Sequence, residues 1–392
     1  MNWKKANTIT GPTAEGSKYF KRDKVERRIW RKIMDNHHIL FLAPRRVGKS
    51  SIVIEMARTA PEGYVCIWKN IQSDNSLQDF YERMYDMIWE CLDVFSKGKR
   101  SLTEFLKTIK ITKISTSGVS IGRAEIDCRK EFFDLLEKVK ESDVKVVLFL
   151  DEFPDVVWNV FKSEGSESAE KLLADIRSLD DAKFKKNFIL VLLGSIGLSH
   201  IVKKITGRED RINNLHKEYL QALSKEEAGA FLKQITLEAS MQIDEQAEEH
   251  LLSKLGHYLP YFIQLLVEEC DNLLEEDENP HLDVDTIDRA YIRLLQKNER
   301  FTDWDSRLSK YFERKYPFLL EVLKECAHQN TLNIQQIFDI SKKHHNESDF
   351  KKDLDDILVA DGYIFEEGRE YRFNSPLLRD WWKNRHPKLD EL

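Results

Sequence analysis

One stretch constrains this chain more than any other. An apolar run, His38 to Ala43 (HILFLA), stops at residues 44–50 (PRRVGKS), and helical periodicity begins at once with Ser51 and Ile52 and runs to Ala57. A buried strand that turns through a short loop into a helix gathers backbone N–H groups and the positive end of the helix dipole at one point. That point suits a phosphate. In the P-loop pattern, Gly48 lets the backbone approach closely, Lys49 reaches the β- and γ-phosphates, and Ser50 ligates Mg²⁺. Ala43, Pro44, Arg45, Arg46, Val47, Gly48, Lys49, Ser50 and Ser51 are therefore the expected nucleotide contacts. A lone Gly-Lys-Ser is common, and an ordinary Gly-containing turn is the plain alternative. The strand before and the helix after it are what carry the reading.

A second motif strengthens the first. Val144 to Leu150 is another apolar strand, and it runs straight into Asp151-Glu152. In an open α/β sheet the carboxyl ends of the strands line the ligand crevice. Asp151 is expected in the Mg²⁺ shell and Glu152 as the group that polarises the attacking water. Alone, an acidic pair after a buried strand also reads as a helix N-cap.

The remaining pattern through residue 223 alternates strands with helices, which predicts a parallel sheet. Strands are expected at Tyr64 to Trp68 and Phe188 to Leu193, with a weaker fifth at Tyr219 to Leu223; helices are expected at Ser76 to Leu92 and Arg129 to Lys140. The fourth strand ends in Gly194-Ser195. Ser195 sits where P-loop proteins with an additional central strand place a γ-phosphate sensor, although a Gly-Ser turn is the simpler reading. Arg208 and Arg211 (GREDR) precede the fifth strand, as an arginine acting on a neighbour's nucleotide or as a solvated charge run.

Charge is informative in one place. The net charge is −7, but Ser96 to Ala124 holds seven basic residues, among them Lys107, Lys110, Lys113 and Arg123, against Glu104 alone. That segment carries +6 and the rest of the chain −13. Within it, Ile109 to Cys128 alternates around Ser117-Gly118 and reads as an inserted β-hairpin, at about residues 96–128. It is a nucleic-acid candidate, or a basic face that is solvated or docked on the protein's own acidic surface.

From about residue 224 the pattern is helical. Ser224 and Glu227 form a capping box before Ala228 to Leu237; helices follow at Asp244 to Leu255, Tyr261 to Leu274 and Asp285 to Gln296. After Asp303, helices at Arg314 to Ala327, Ile334 to Lys343 and Asp349 to Leu358 precede two short strands around Glu367-Gly368, which spells a winged helix. The expected division is a core at 1–223, a helical lid at 224–302 and a winged helix at 303–392. In the segment Glu347 to Leu358, Phe350, Leu354 and Leu358 point to the core. That leaves five carboxylates outside against Lys351 and Lys352, a face that repels a duplex. Trp381 and Trp382 are expected to anchor a final helix.

Other classes find little support. The five cysteines are scattered without a C-x-x-C, and the start is polar with no apolar stretch behind it, which fits a reducing, cytoplasmic setting and no membrane partner. The adjacent pairs His37-His38 and His344-His345 cannot converge on one metal as an i, i+4 pair does.

Taken together the motifs resemble the prokaryotic AAA-type ATPases of the archaeal-ATPase family, related to the STAND signalling ATPases and the origin-initiator ATPases. The resemblance runs from Phe20-Lys21-Arg22-Asp23 through the PRRVGKSS loop, the LFLDEF strand and Gly194-Ser195. It continues through Gly256 to Gln264 and Tyr371 to Trp382 (YRFNSPLLRDWW). It implies an α/β P-loop NTPase core of AAA+ (ASCE) type with a helical lid and a C-terminal winged helix, ATP or ADP with Mg²⁺ as ligands, and ATP hydrolysis. It also implies Phe20 and Arg22 near the adenine and Pro260 and Tyr261 as lid residues over the base or ribose. Pro260-Tyr261 equally reads as a pair that caps and packs a helix. Lys21 stands where a Gly is usual and Ala43 where the loop's first Gly is usual. The leading expectation is a slow, nucleotide-dependent switch for a protein partner or self-assembly. The alternatives are a DNA-associated initiator-like or transposition-regulator-like AAA+ ATPase, and a scaffold that nucleotide stabilises without turnover.

Overall fold

The computed structural model describes residues 3–96, 127–140, 145–194, 198–207 and 210–388. The basic insertion, with Lys107, Lys110, Lys113 and Arg123, lies outside the described residues, as do Ser195 and Arg208. The chain divides into two compact units. One holds Lys21–Leu42 and Lys49–Leu220; the other holds Met1–Phe20, Ala43–Gly48 and Gln221–Leu392.

The first unit is built on a five-stranded sheet, β1 (Ile39–Leu42), β2 (Tyr64–Asn70), β3 (Lys145–Asp151), β4 (Phe188–Gly194) and β5 (His216–Tyr219). Every pairing is parallel, and the order is β2-β3-β4-β1-β5. The three central strands are the continuous aliphatic runs of the sequence. β1 and β4 are buried at every position, and so is β3 after Lys145. Each such Leu, Ile, Val or Phe contributes about 2 kcal/mol by leaving water. β4 lies between β1 and β3, so the strand feeding the loop and the strand ending in Asp151 are not neighbours.

The edge strands depart from the sequence expectation. The fifth strand is His216–Tyr219, not the apolar run Tyr219 to Leu223. An edge strand needs one buried face only, and HKEY meets that with Glu218 inward, held by Arg28 and Lys32. Pairing extends just one residue further, through the Leu220 N–H to the Leu42 carbonyl at 2.9 Å. His38 is structural: its Nε2 donates to the Leu179 carbonyl at 2.8 Å and its Nδ1 accepts from the Leu190 N–H at 2.9 Å. Burial lowers its pKa, so it stays neutral.

In the other unit the capping box at Ser224 and Glu227 forms and opens the helix Lys225–Thr236. Helices Glu245–Leu255, Pro260–Glu276 and Val284–Leu295 follow, Asp244 and Asp283 cap two of them, and the short strands β6 (Gln242–Ile243) and β7 (His281–Leu282) pair in parallel. The N-terminal segment straps this bundle, which the sequence did not announce. The Trp3 indole and the Ala6 N–H donate to buried Asp271 at 2.9 and 3.0 Å, and the Ile9 N–H donates to Gln264 at 2.6 Å.

Beyond Thr302–Tyr311 come helix Tyr316–Gln329, β8 (Leu332–Asn333), helix Ile334–Lys343, and a third helical segment. The hairpin of β9 (Ile364–Glu367) and β10 (Glu370–Phe373) then leads to helix Pro376–Arg385. β10 pairs with both β8 and β9, giving the helix and hairpin order of a winged helix. Trp381 and Trp382 are fully buried in the last helix.

The third helical segment corrects the sequence reading. It is α-helical only over Phe350–Asp353 and continues as a π-helical turn, Leu354–Val359. Asp353 is not on the outer face but buried, taken up by Lys315 and Asn346. Leu354, Ile357 and Leu358 are buried on one face, and Asp353, three residues after Phe350 and four before Ile357, lies on that face by ordinary helical spacing. Among the described residues no helix is long and apolar enough to cross a membrane.

Candidate functional site

In the α/β unit the site grows from the end of β3. Asp151 is the last strand residue and is 2% exposed. A buried carboxylate survives only with partners, and this one has three. Lys49 Nζ donates to Oδ1 at 2.5 Å, the Ser50 hydroxyl donates to Oδ2, and the Glu152 N–H donates to Oδ1 at 3.0 Å. Burial pushes the Asp151 carboxyl up, but the Lys49 charge, the two side-chain hydrogen bonds and the backbone N–H outweigh it and hold it below the ordinary Asp value. Lys49 and Ser50 are the first residues of the helix Lys49–Arg58.

Glu152 follows with φ 61° and ψ 36°, in the left-handed region. For a residue with a Cβ this costs roughly 1–2 kcal/mol. Its half-buried side chain has no hydrogen-bond partner among the described residues. The helix Phe153–Glu164 then begins, with Pro154 as its second residue. Glu152 does cap that helix, as the plainer sequence reading had it, but without a side-chain hydrogen bond.

Two contacts beside the acidic turn were not found from sequence. Gly194, at the end of β4, faces Pro154 so closely that a Cβ there would lie 2.6 Å from Pro154 Cγ. Glycine is thus required where β4 passes the acidic turn. Asn70 ends β2 in register with Asp151, and the Ile71 N–H donates to the Asp151 carbonyl at 3.0 Å. Gln72 and Asn159 extend this network, with Gln72 donating to buried Asp155 at 3.0 Å. Nothing in the spacing of these polar residues marks them out; only the register of two distant strands joins them.

Arg22 lies in this unit, and its carbonyl accepts from the N–H groups of Val25 and Glu26, at the start of the helix Asp23–Met34. Arg211 reaches Glu170 of the same chain at 3.4 Å.

In the second unit, the loop segment Ala43–Gly48 has two residues with positive φ, Arg46 at 66° and Gly48 at 94°. Gly48 has open space around it, so its demand is conformational: the backbone there is one that L side chains rarely adopt. Ala43 and Val47 are buried, the first 1% exposed, and Ala43 therefore serves as a packed small residue. Arg46 lies 4.4 Å over the Tyr261 ring and 3.0 Å from Asp303. Pro260 is the first residue of the helix that carries Tyr261, with Leu259 as its N-cap. Phe20 packs against Phe231 with tilted rings, 5.3 Å between centroids.

The chemistry of the donors can be tested against Mg²⁺. The Ser50 hydroxyl and the Asp151 carboxylate are hard oxygens in direct contact. Among the described residues no group of three or more His, Cys, Asp or Glu forms a metal cage by itself. Mg²⁺ suits such a sparse pair, since it keeps waters and substrate phosphates as its other ligands. The pair fits Mg²⁺ on those grounds.

The fold and its comparisons define the class: this is a P-loop NTPase fold of the AAA+ type, with β4 inserted between the loop strand and the acidic strand. The structure is similar to the Walker-type ATPase PABY2304 of Pyrococcus abyssi, with a TM-score of 0.65 at 18% identity, covering 96% of this chain and 99% of that one. It is also similar to the Aeropyrum pernix ORC2 protein solved in ADPNP–ADP complexes, with a TM-score of 0.54 at 12% identity, covering 92% of each chain. At these identities the likeness establishes the fold. No protein-family model matches the sequence, and no curated protein matches it.

Proposed function

We propose that the chain is a Mg²⁺-dependent ATPase of low turnover, acting as a nucleotide-controlled switch for a protein partner or for self-assembly. The observation that carries this reading is the convergence of Lys49 and Ser50 on Asp151. It is the arrangement expected of a P-loop lysine, a metal-ligating hydroxyl and an acidic strand end. In this reading residues 1–223 are the core, 224–302 the lid and 303–392 the winged helix.

The backbone of Ala43–Gly48 binds the phosphates, and Lys49 moves from Asp151 onto the β- and γ-oxygens as they arrive. Ser50 and Asp151 would hold Mg²⁺, which neutralises phosphate charge. Glu152 orients a water and takes its proton as the water oxygen bonds to the γ-phosphorus and the bond to the bridging oxygen breaks, giving ADP and phosphate. The strained backbone at Glu152 supports this role, since left-handed non-glycine residues persist where surrounding structure fixes them for function. The nucleotide complexes of the ORC2 relative and the ATPase description of the Pyrococcus relative point the same way.

Steady-state ATP hydrolysis by wild type and Glu152→Gln, with and without duplex DNA at moderate salt, tests the proposal. Turnover that needs Glu152 and ignores DNA is the expected result. Turnover that rises with DNA would favour the initiator-like alternative. No turnover despite nucleotide binding would leave the nucleotide-stabilised scaffold.

A further inference from the structure

In a phosphate-binding loop the ligand is held by backbone N–H groups, so the side chains between the strand and Gly48 are not spent on it. In this chain three consecutive ones are engaged by distant segments of their own unit. Pro44 lies against Gly362, where a Cβ would be 3.3 Å from Pro44 Cβ and Cγ and where φ is +81°. Arg45 lines a small cavity with Arg307, Asp361 and Tyr363. Arg46 is stacked on Tyr261 at 4.4 Å and paired with Asp303 at 3.0 Å. The partners come from three places in the chain: helix Pro260–Glu276, helix Thr302–Tyr311, and the turn that enters β9.

We propose that Pro44, Arg45 and Arg46 are the coupling element by which occupancy of the phosphate loop is transmitted to residues 260–363. The proposal rests on the nucleotide-binding reading above. Phosphate collects N–H groups from a backbone that is left-handed at Arg46 and at Gly48, so binding acts on the torsions from which the Arg46 side chain projects. Rotation of that backbone carries the guanidinium off the Tyr261 ring and the Asp303 carboxylate together, contacts exposed enough to open and re-form. Loop and partners therefore change together. By linkage the coupling is reciprocal: whatever displaces Asp303 or Gly362 changes nucleotide affinity by the same factor.

The pair between Arg46 and Asp303 is half-exposed and stabilises the fold little by itself. Its value lies in direction. Asp303→Lys places two like charges together and drives Arg46 off both Asp303 and the Tyr261 face, whereas Asp303→Glu keeps the charge.

The test is hydrogen exchange of the full chain with and without the non-hydrolysable analogue AMPPNP and Mg²⁺, read at residues 300–312 and 354–373. Wild type and Asp303→Glu should show a change of threefold or more on nucleotide addition, about what a weak coupling gives. Asp303→Lys should bind AMPPNP and lose that change. A nucleotide-dependent change that survives in Asp303→Lys, or wild type that binds AMPPNP with no change in these segments, overturns the coupling. Wild type that binds no AMPPNP overturns the nucleotide reading instead, and the coupling with it.

Discussion

Two cation–aspartate pairs flank Gly48 in sequence, and they differ in kind. Lys49–Asp151 is nearly dry, with side chains 11% and 3% exposed, and adds a serine hydroxyl and a backbone N–H to the same carboxylate. Arg46–Asp303 is wet, at 34% and 52%, and relies on an aromatic face for its geometry. Burial makes the first pair expensive to break, because a lone charge is left behind. The second pair can open and close at small cost, because water replaces each partner. A phosphate loop flanked by one fixed and one yielding contact has a place for chemistry and a place for movement.

The sharpest way to break this contrast is Lys49→Ala. It leaves Asp151 buried without its cation, so stability at neutral pH should fall by about 3 kcal/mol, and nucleotide affinity by about 100-fold or more. Urea unfolding and titration with a fluorescent nucleotide read the two effects. A loss below about 1 kcal/mol would show the buried pair to be no different from a surface one.

Glu152 gives the next largest effect. Glu152→Gln should bind ATP normally and turn it over about 100-fold more slowly, the scale of a lost general base. Wild-type turnover would remove Glu152 from that role. Glu152→Gly should be equally slow yet more stable by about 1 kcal/mol, because glycine relieves the left-handed backbone. Chemical denaturation of the two variants side by side separates chemistry from strain.

Acid should then act on the two units in different windows. Burial pushes the His257 imidazole, in the unit that holds Gln221–Leu392, down to about 4. Its unfolded value is about 6.5. The unfolded chain binds the proton first, so the stabilisation is complete above about pH 6.5 and is lost as pH falls toward 4. Asp151 has its folded value depressed, so its contribution is intact above the ordinary carboxylate value of about 3.9 and is lost only below it. His257→Gln should flatten the upper window by roughly 2 kcal/mol and leave the lower one unchanged. Identical acid profiles for variant and wild type would place His257 in water.

What the sequence made legible follows the same physics. The central strands were readable because both faces are buried and every residue had to be apolar. Lys49, Ser50 and Asp151 could be paired from sequence because each follows a buried apolar run that closes on polar residues. β5 was misplaced because an edge strand asks for one inward residue, and Glu218 does not look like one. The inward turn of Asp353 was missed because a carboxylate within an apolar stripe reads as solvated until its partners, Lys315 and Asn346, are in place. Asn70, the close approach of Gly194 to Pro154 and the Trp3–Asp271 strap were invisible because each depends on a partner far away in the chain. In the loop itself, Pro44, Arg45 and Arg46 were grouped with the nucleotide contacts, and sequence spacing could not distinguish a backbone that meets phosphate from side chains that turn elsewhere.

The smallest expected effect is the most telling about the yielding contact. Asp303→Ala should change the free energy of unfolding by less than about 0.5 kcal/mol, since an exposed pair gains little over water. The Arg46 stack on Tyr261 survives in this variant, and Tyr261 keeps its hydrogen bond to the Arg300 carbonyl at 3.2 Å. Stability measured by urea unfolding at low and at high salt should therefore coincide with wild type at high salt, where a surface pair is screened. A loss of about 2 kcal/mol that persists at high salt would mean that Asp303 closes the cavity around Arg45, Arg307 and Asp361 rather than merely pairing Arg46. In that case both contacts beside Gly48 would be fixed, and movement would have to enter the loop through Pro44 and Gly362 instead.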